Sequence, residues 1–357
     1  MRDKQMRTSS LYLLSCALPL TAMAADNNSN GDWQQIDQRL QRLEQQQVSS
    51  SAENTSFSLY GSLRPTLVYS DSDITDEWDV GDALSRIGVK GRTEFAPGWA
   101  LLAQGEWKIN LNGDGSFGDA RLAFAGVDSP YGQLSFGRQR PVQYTLVAEY
   151  TDIFNNANSP FAYNQESPFF ADNLALYQFK LQHFTLMASA RFDGEGDNSG
   201  ADAINAGLGF DWQGLHLGVS YLEQDNFEGE LKTGKDKTSA AALAYSFDNG
   251  IYLALAYQYK DYQLTGSEDR DGSTLDAALA IPLWQDYKLK LGYFRFDDGL
   301  EPDISLDYQG FNTTLEWNPA GNVRLHLEYL QQDNEQGATD KSIAIGIRYD
   351  FDLNWRF

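Results

Sequence analysis

From Phe57 to Phe357, apolar and polar side chains take turns along the chain. The last stretch shows this most fully: Ile343, Ile345, Ile347, Tyr349, Phe351, Leu353, Trp355 and Phe357 alternate with Ala344, Gly346, Arg348, Asp350, Asp352, Asn354 and Arg356. Successive side chains of a strand point to opposite faces, so a period of two predicts β-structure. Strands of soluble domains are usually only about 5–6 residues long, and this run is far longer. The same pattern sets Val323, Leu325, Leu327 and Tyr329 against Arg324, His326 and Glu328. It also sets Tyr287, Leu289, Leu291 and Tyr293 against Lys288, Lys290 and Gly292. A soluble barrel buries its apolar set inside. Here the opposite set carries Lys, Arg and Glu, which suits a water-filled interior with lipid outside.

The bulk properties agree. Mean hydropathy is −0.47, which excludes a bundle of membrane helices, while aromatic residues make up 13% of the chain. Alternating barrel strands produce this combination, because lipid-facing and water-facing residues cancel in the average. The first residues read as a secretory leader, 1–24. Arg2, Lys4 and Arg7 precede the short apolar run Leu11 to Leu20, and Ala22-Met23-Ala24 forms a cleavage site. A lipidated Cys16 is the rival reading, and the apolar run before it is very short for that role. Cleavage near Ala24 leaves no cysteine, so the mature chain needs no disulfide and excludes thiol catalysis.

Net charge is −23, and removing a leader that carries +2 (Arg2, Lys4 and Arg7 against Asp3) leaves −25. Such a chain is a poor partner for nucleic acid, although its acidity concentrates cations at a pore mouth. The three histidines, His183, His216 and His326, have neither a nucleophile elbow nor a metal-spaced partner. The reading is therefore a non-enzyme with no cofactor and no metal.

Three segments follow: the leader at 1–24, a periplasmic helix and linker at 25–56, and a barrel at 57–357. In the second, Trp33, Ile36, Leu40, Leu43 and Gln47 recur at 3-4-3-4 spacing, a heptad seam of about two repeats. Two heptads are marginal in water unless their partners are already held together. The seam therefore predicts a short α-helical coiled coil that helps hold an oligomer; the plainer alternative is an amphipathic helix lying on the barrel. The same Gln-rich helix is placed to reach toward the cell wall.

Sixteen strands are expected, at about 57–70, 81–94, 98–110, 117–127, 131–140, 172–181, 183–193, 202–212, 215–224, 237–247, 250–262, 273–283, 287–297, 304–317, 323–333 and 341–357. An even number returns both ends to one side. Short connections such as Gln213-Gly214 and Asp248-Asn249 alternate with long acidic ones such as Asp71 to Asp79 and Gln224 to Asp236, the expected asymmetry between periplasmic turns and outer loops. The cluster Asp71, Asp73 and Asp76 reads as solvated loop charge. The sharper alternative is a divalent-ion site shared with lipopolysaccharide.

Several runs together resemble the general porin family of Gram-negative bacteria, over about Phe57 to Phe357. Ser85-Arg86-Ile87-Gly88-Val89-Lys90-Gly91 looks like the family's second strand, Ala120-Arg121-Leu122-Ala123-Phe124-Ala125-Gly126 its fourth, and Tyr131-Gly132-Gln133-Leu134-Ser135-Phe136-Gly137-Arg138 its fifth. Tyr150-Thr151-Asp152 opens a segment placed like the family's third loop. The terminal aromatic Phe357 resembles the assembly signal of outer-membrane barrels. The resemblance implies a trimeric, sixteen-stranded barrel in the outer membrane, surrounded by lipid and lipopolysaccharide. It passes small hydrophilic solutes and ions, with the third loop folded inward as an eyelet.

Carried across by position, the resemblance places Arg86, Arg121 and Arg138 on a basic wall, with Lys90 on the same face as Arg86. Asp152 falls on the acidic side. The family often has a second carboxylate four residues further on; here that position is Asn156, and Glu149 and Glu166 are candidates to replace it. Arg64 is added to the basic wall, although its plain reading, like that of Lys108, is a solvated lumen residue. Alternation puts Arg86, Lys90 and Arg92 on one face and sets Arg121 opposite Leu122 and Phe124. Arg138 falls with Phe136 and needs a bulge or a strand end to face inward. An eyelet with opposed charges creates a transverse field that passes polar solutes by size and charge. The alternative is an oligosaccharide channel whose aromatic track would draw on Tyr144, Phe154, Phe161, Tyr163, Phe169 and Phe170. The plainer reading is that these rings pack the loop against the wall.

Overall fold

The computed structural model describes residues 54–72, 76–155, 162–194, 200–228, 231–265, 268–337 and 339–357. The leader, the heptad residues Trp33, Ile36, Leu40 and Leu43, and Asp73, Asn156 and Phe161 lie outside the described residues.

The described strands are β1 (Thr55–Leu63), β2 (Pro65–Asp71), β3 (Asp76–Asp82), β4 (Arg86–Ala96), β5 (Trp99–Ile109), β6 (Phe117–Ser129), β7 (Gly132–Gln139), β8 (Ala171–Leu181) and β9 (Phe184–Arg191). They continue as β10 (Ala203–Trp212), β11 (Leu215–Glu228), β12 (Leu231–Ser246), β13 (Tyr252–Leu264), β14 (Arg270–Trp284), β15 (Tyr287–Asp297), β16 (Tyr308–Ala320), β17 (Val323–Asn334) and β18 (Thr339–Arg356). All belong to one antiparallel sheet. β18 pairs with both β1 and β2, β4 pairs with β1, and β3 pairs with β2. Thus β1 and β2 are one wall strand interrupted at Arg64, and β3 and β4 one interrupted at residues 83–85. The wall is a closed barrel of sixteen strands. Closure leaves no unpaired edge, which a bilayer requires.

The two interruptions lie side by side and satisfy each other. Ala83 N–H donates to the Arg64 carbonyl at 2.9 Å, and Arg64 N–H donates to Ser85 Oγ at 2.7 Å. Leu84 has φ of +68°, which turns the chain within the break. The barrel therefore yields locally beside Arg64 and Arg86 without losing hydrogen bonds.

The outer face is apolar. Ile345 is 54% exposed, whereas its neighbour Ala344 on the other face is fully buried. An exposed isoleucine at mid-strand makes sense only against lipid. Near the short turns the outer face carries aromatic pairs: Trp99 with Tyr131, Tyr287 with Trp317, and Phe57 with Trp355, ring centroids 6.4, 6.0 and 5.7 Å apart. Aromatics gathered at one rim form the interfacial girdle of outer-membrane barrels. Phe357 closes this rim, its N–H donating to the Thr55 carbonyl at 2.9 Å.

Three expected boundaries are corrected. The acidic stretch 71–79 is mostly strand, because β2 and β3 are paired from Pro65 and Asp82 out to Asp71 and Asp76. The acidic stretch 224–236 is mostly strand, because β11 and β12 remain paired to Glu228 and Leu231. Cross-strand charge explains it: Lys232 reaches Asp225 at 2.5 Å, and Lys235 pairs with Glu223. Opposite charges across a ladder stabilise strands that composition alone marks as loop. The strand expected from 304 begins at Tyr308 instead. Residues before it are held in a turn by Asp298, whose carboxylate accepts the N–H of Leu300 at 2.9 Å and of Leu306 at 2.8 Å.

Candidate functional site

Between β7 and β8 the chain forms two short helices, Val142–Leu146 and Tyr163–Glu166, joined in part by a 3-10 turn, Ala148–Tyr150. Apolar side chains fix the first: Val142, Leu146 and Val147 pack with Leu174, Leu176, Met187, Ala240, Ala242 and Ala256. Small wall residues make room. A Cβ at Gly218 would lie 1.8 Å from the Leu146 carbonyl oxygen, and one at Gly207 would lie 2.7 Å from Leu146 Cδ1.

Polar contacts from distant strands hold the rest of the segment. Asp276 accepts the N–H groups of Ala162 at 2.9 Å and Tyr163 at 3.0 Å. Asn155 Nδ2 donates to Glu316 Oε2 at 2.7 Å, and Lys290 Nζ donates to the Ile153 carbonyl at 2.8 Å. Gln143 bonds Ser167 Oγ at 2.7 Å and also bonds Gln258. Tyr252 OH reaches the Tyr150 carbonyl at 2.6 Å. These acceptors and donors alternate with lipid-facing residues, so the same period of two that sets the outer face supplies the anchors.

Beside the segment lies a cavity of about 510 Å³. One side presents Arg64, Arg86, Arg121, Arg324 and Arg348 from the wall and Arg140 from just beyond β7. Glu149, Asp152, Phe154 and Asn155 of the segment also line it. Glu106 sits among the arginines, 2.7 Å from Arg121 Nε and 3.7 Å from Arg86 Nε. Asp152 accepts the Tyr144 hydroxyl at 2.8 Å. Crowding by protein raises the Glu149 carboxyl above its ordinary pKa, with Arg140 pulling the other way. The Arg140 guanidinium lies over the rings of Tyr144 and Phe170, 3.8 and 3.9 Å from their centroids. Aromatic faces steady a cation that makes no direct ion pair among the described residues.

Arg64, Arg86, Arg121, Glu149 and Asp152 thus meet at one cavity. Lys90 lies further along β4, 3.9 Å from Asp352 and over the Tyr60 ring. Arg138 is outside the lining; it pairs with Asp172 at 2.5 Å beside a register shift at Gly137, whose φ is +124°. Glu166 is not with the arginines either. It is buried against Lys260 at 2.9 Å and bonds the Tyr262 hydroxyl, so its charge is already answered.

Arg121 faces the cavity for a reason other than alternation. β5 pairs Glu106 with Leu122 and Trp107 with Ala120, so Arg121 is the extra residue of a bulge. Leu122 lines the cavity and shares the face of Glu106, and Phe124 is paired with Gln104 on that face. Leu122 and Phe124 therefore do not oppose Arg121: the bulge turns Arg121 to their side. Glu106, Arg140, Arg324, Arg348 and Asp276 were not singled out by sequence. Arg324 and Arg348 stand on polar faces of clearly alternating strands, which is a usable signal. Arg140 lies beyond a bulge that periodicity does not show.

Three aromatic residues of the segment pack together, whereas Tyr150 and Phe154 pack on Ala244, Ala254 and Ala278 of the wall. Tyr144, Tyr163 and Phe169 form one cluster, with Tyr144 and Tyr163 buried.

A closed, lipid-facing barrel with a charged interior cavity defines a membrane channel. The chain belongs to the Gram-negative porin family, whose model matches residues 15–354. Outer membrane porin F of Xenorhabdus nematophila is 24% identical over 343 residues, covering 82% of this chain and 91% of that protein. Outer membrane porin N of Escherichia coli is 25% identical, covering 83% and 81%. Among solved structures, an anion-selective porin from Comamonas acidovorans superposes with a TM-score of 0.72 at 17% identity, covering 83% of this chain and all of that one. OmpT of Vibrio cholerae, in a trimer form, gives 0.66 at 18% identity over 84% of this chain and all of that one. The protein is an outer-membrane porin, a channel rather than an enzyme.

Proposed function

We propose that the segment 140–170 folds into the barrel and narrows it to a charged constriction, through which small hydrophilic solutes and ions diffuse passively. The observation that carries this reading is the cavity where Glu149 and Asp152 of the segment meet Arg64, Arg86 and Arg121 of the wall. The anchors on β13 to β16 support it, because they lie far from β7 and β8 around the sheet. Arg86 and Arg121 form the basic wall with Arg64, and Asp152 and Glu149 the acidic side. Lys90 and Arg138 flank the constriction. A transverse field of this kind passes solutes that can align in it and rejects apolar ones, whose passage disturbs ordered water.

The channel works as a homotrimer, in keeping with the trimer form of the Vibrio cholerae neighbour. The heptad residues Trp33, Ile36, Leu40 and Leu43 join three copies in a coiled coil on the periplasmic side, and Phe357 serves in assembly. An aromatic sugar track has little support, because Tyr163 and Phe169 are occupied in packing against Tyr144, and of the candidate rings among the described residues Tyr144 and Phe154 line the cavity, beside six guanidiniums. Single-channel recording in a planar bilayer tests the reading. Ohmic conductance in three equal steps that neutral oligosaccharides fail to block is expected. Low conductance blocked by micromolar sugar would overturn it.

A further inference from the structure

We infer that the constriction favours small hydrophilic anions over cations, although the chain as a whole is strongly acidic; the inference rests on the pore reading above. Six guanidiniums line the cavity, against the carboxylates of Glu106, Glu149 and Asp152. A fourth carboxylate, Asp350, accepts from Arg348 Nε at 2.8 Å and lies 3.9 Å from Arg324. Counting it still leaves an excess of two positive charges.

The pairing is uneven as well as incomplete. Glu106 is shared by two arginines, and so is Asp350. Arg64 Nε donates to Ser62 Oγ at 2.8 Å, and Arg140 Nη1 to the Phe169 carbonyl at 3.1 Å. Neither forms an ion pair among the described residues. Both are charged donors at the cavity whose nearest hydrogen-bond partners are neutral, so neither is held by a carboxylate in contact.

The wall bears a cost to hold these charges. Arg324 and Arg348 are directly opposed across β17 and β18, and Arg86 is opposed to Lys108 across β4 and β5. Like charges in such positions destabilise a sheet. A wall that needed only to be wet would be filled by Ser, Thr or Gln without that penalty. The positive field also continues past the constriction. Arg324 lines a second cavity, about 590 Å³, with Lys288 and Lys290. Lys290 is matched by Glu316 at 2.7 Å and Lys288 stands with Asp286, so the excess of two persists over both cavities, with Arg324 common to them.

Distance decides between this local excess and the net charge of −23. The Debye length is about 8 Å at physiological ionic strength, so carboxylates on outer loops are largely screened from an ion inside the barrel. The guanidiniums bound the cavity through which that ion passes. The permeant class is therefore small anions, carboxylates and phosphates included.

The full-length protein in a planar bilayer under a tenfold KCl gradient provides the test. The expected reversal potential has the sign set by chloride at about 0.1 M salt, and the chloride preference should shrink toward 1 M, where the Debye length falls to about 3 Å. Arg64→Gln with Arg140→Gln should lower the chloride-to-potassium permeability ratio by about twofold or more. Lys288→Gln with Arg324→Gln, which leaves residues 140–170 untouched, should lower it too if the first pair fails to assemble. Conductance with a potassium preference, or an unchanged ratio in both variants, would overturn the inference and leave the pore reading intact. A correctly assembled trimer without conductance would overturn the pore reading and this inference with it.

Discussion

The carbonyl oxygen of Leu146 lies 3.0 Å from Nε2 of His216. The other ring nitrogen is 2.8 Å from Asp211 Oδ1, and the Tyr150 ring stacks on the imidazole at 3.5 Å between centroids. Carbonyl and carboxylate are both acceptors, so the clasp is complete only when both ring nitrogens carry hydrogen. One wall residue thereby fixes two turns of the segment. His216→Ala should loosen residues 140–170 and raise open-channel noise. A hydrogen bond to a charged group contributes about 1.5–3 kcal/mol, and a shift in the unfolding midpoint of that order is expected.

Gly218 faces the same carbonyl. Gly218→Val would drive its side chain into Leu146, since even a Cβ would lie 1.8 Å from the oxygen. The segment must then move while the outer face is unaffected. The expected result is a folded, heat-modifiable barrel on gel electrophoresis with altered single-channel conductance.

Asp276 offers two oxygens to two N–H groups. Asp276→Asn replaces one acceptor with a donor and leaves one buried N–H unsatisfied, at about 1–3 kcal/mol. Limited proteolysis should then cut within residues 140–170 of the variant well before the wild type.

The outer face is tested at Ile345, which is 54% exposed on the lipid side. Ile345→Lys should destabilise the barrel by about 2–4 kcal/mol in urea titrations in lipid vesicles, if it lies near the midplane. His326→Lys, on the opposite face of the neighbouring strand, would not face this lipid penalty.

Glu149 supplies a pH dependence. Its pKa is raised, so it takes up its proton at a higher pH than an ordinary glutamate. As pH is lowered through the acid range and Glu149 takes up its proton, the cavity loses a negative charge, and the preference for anions should grow. Glu149→Gln should show the stronger preference already at pH 7 and a flatter pH profile. Reversal potentials measured across this range check both statements.

Alternation alone determined the barrel. The period of two over residues 343–357 is a local property, and so are turns such as Gln213-Gly214, whose residues have φ of +46° and +83°. Strand number and the lipid-facing set follow from them, as does the assignment of Arg86, Arg324 and Arg348 to the polar face. The tertiary structure decided what these residues meet. Arg121 turns inward through a bulge, and Glu166 is claimed by Lys260. Arg64 and Arg86 flank a break in two adjacent wall strands, and Arg140 joins the cavity from beyond β7. Each depends on register or on contacts between residues far apart in the chain, and a one-residue shift in register reverses every side chain that follows.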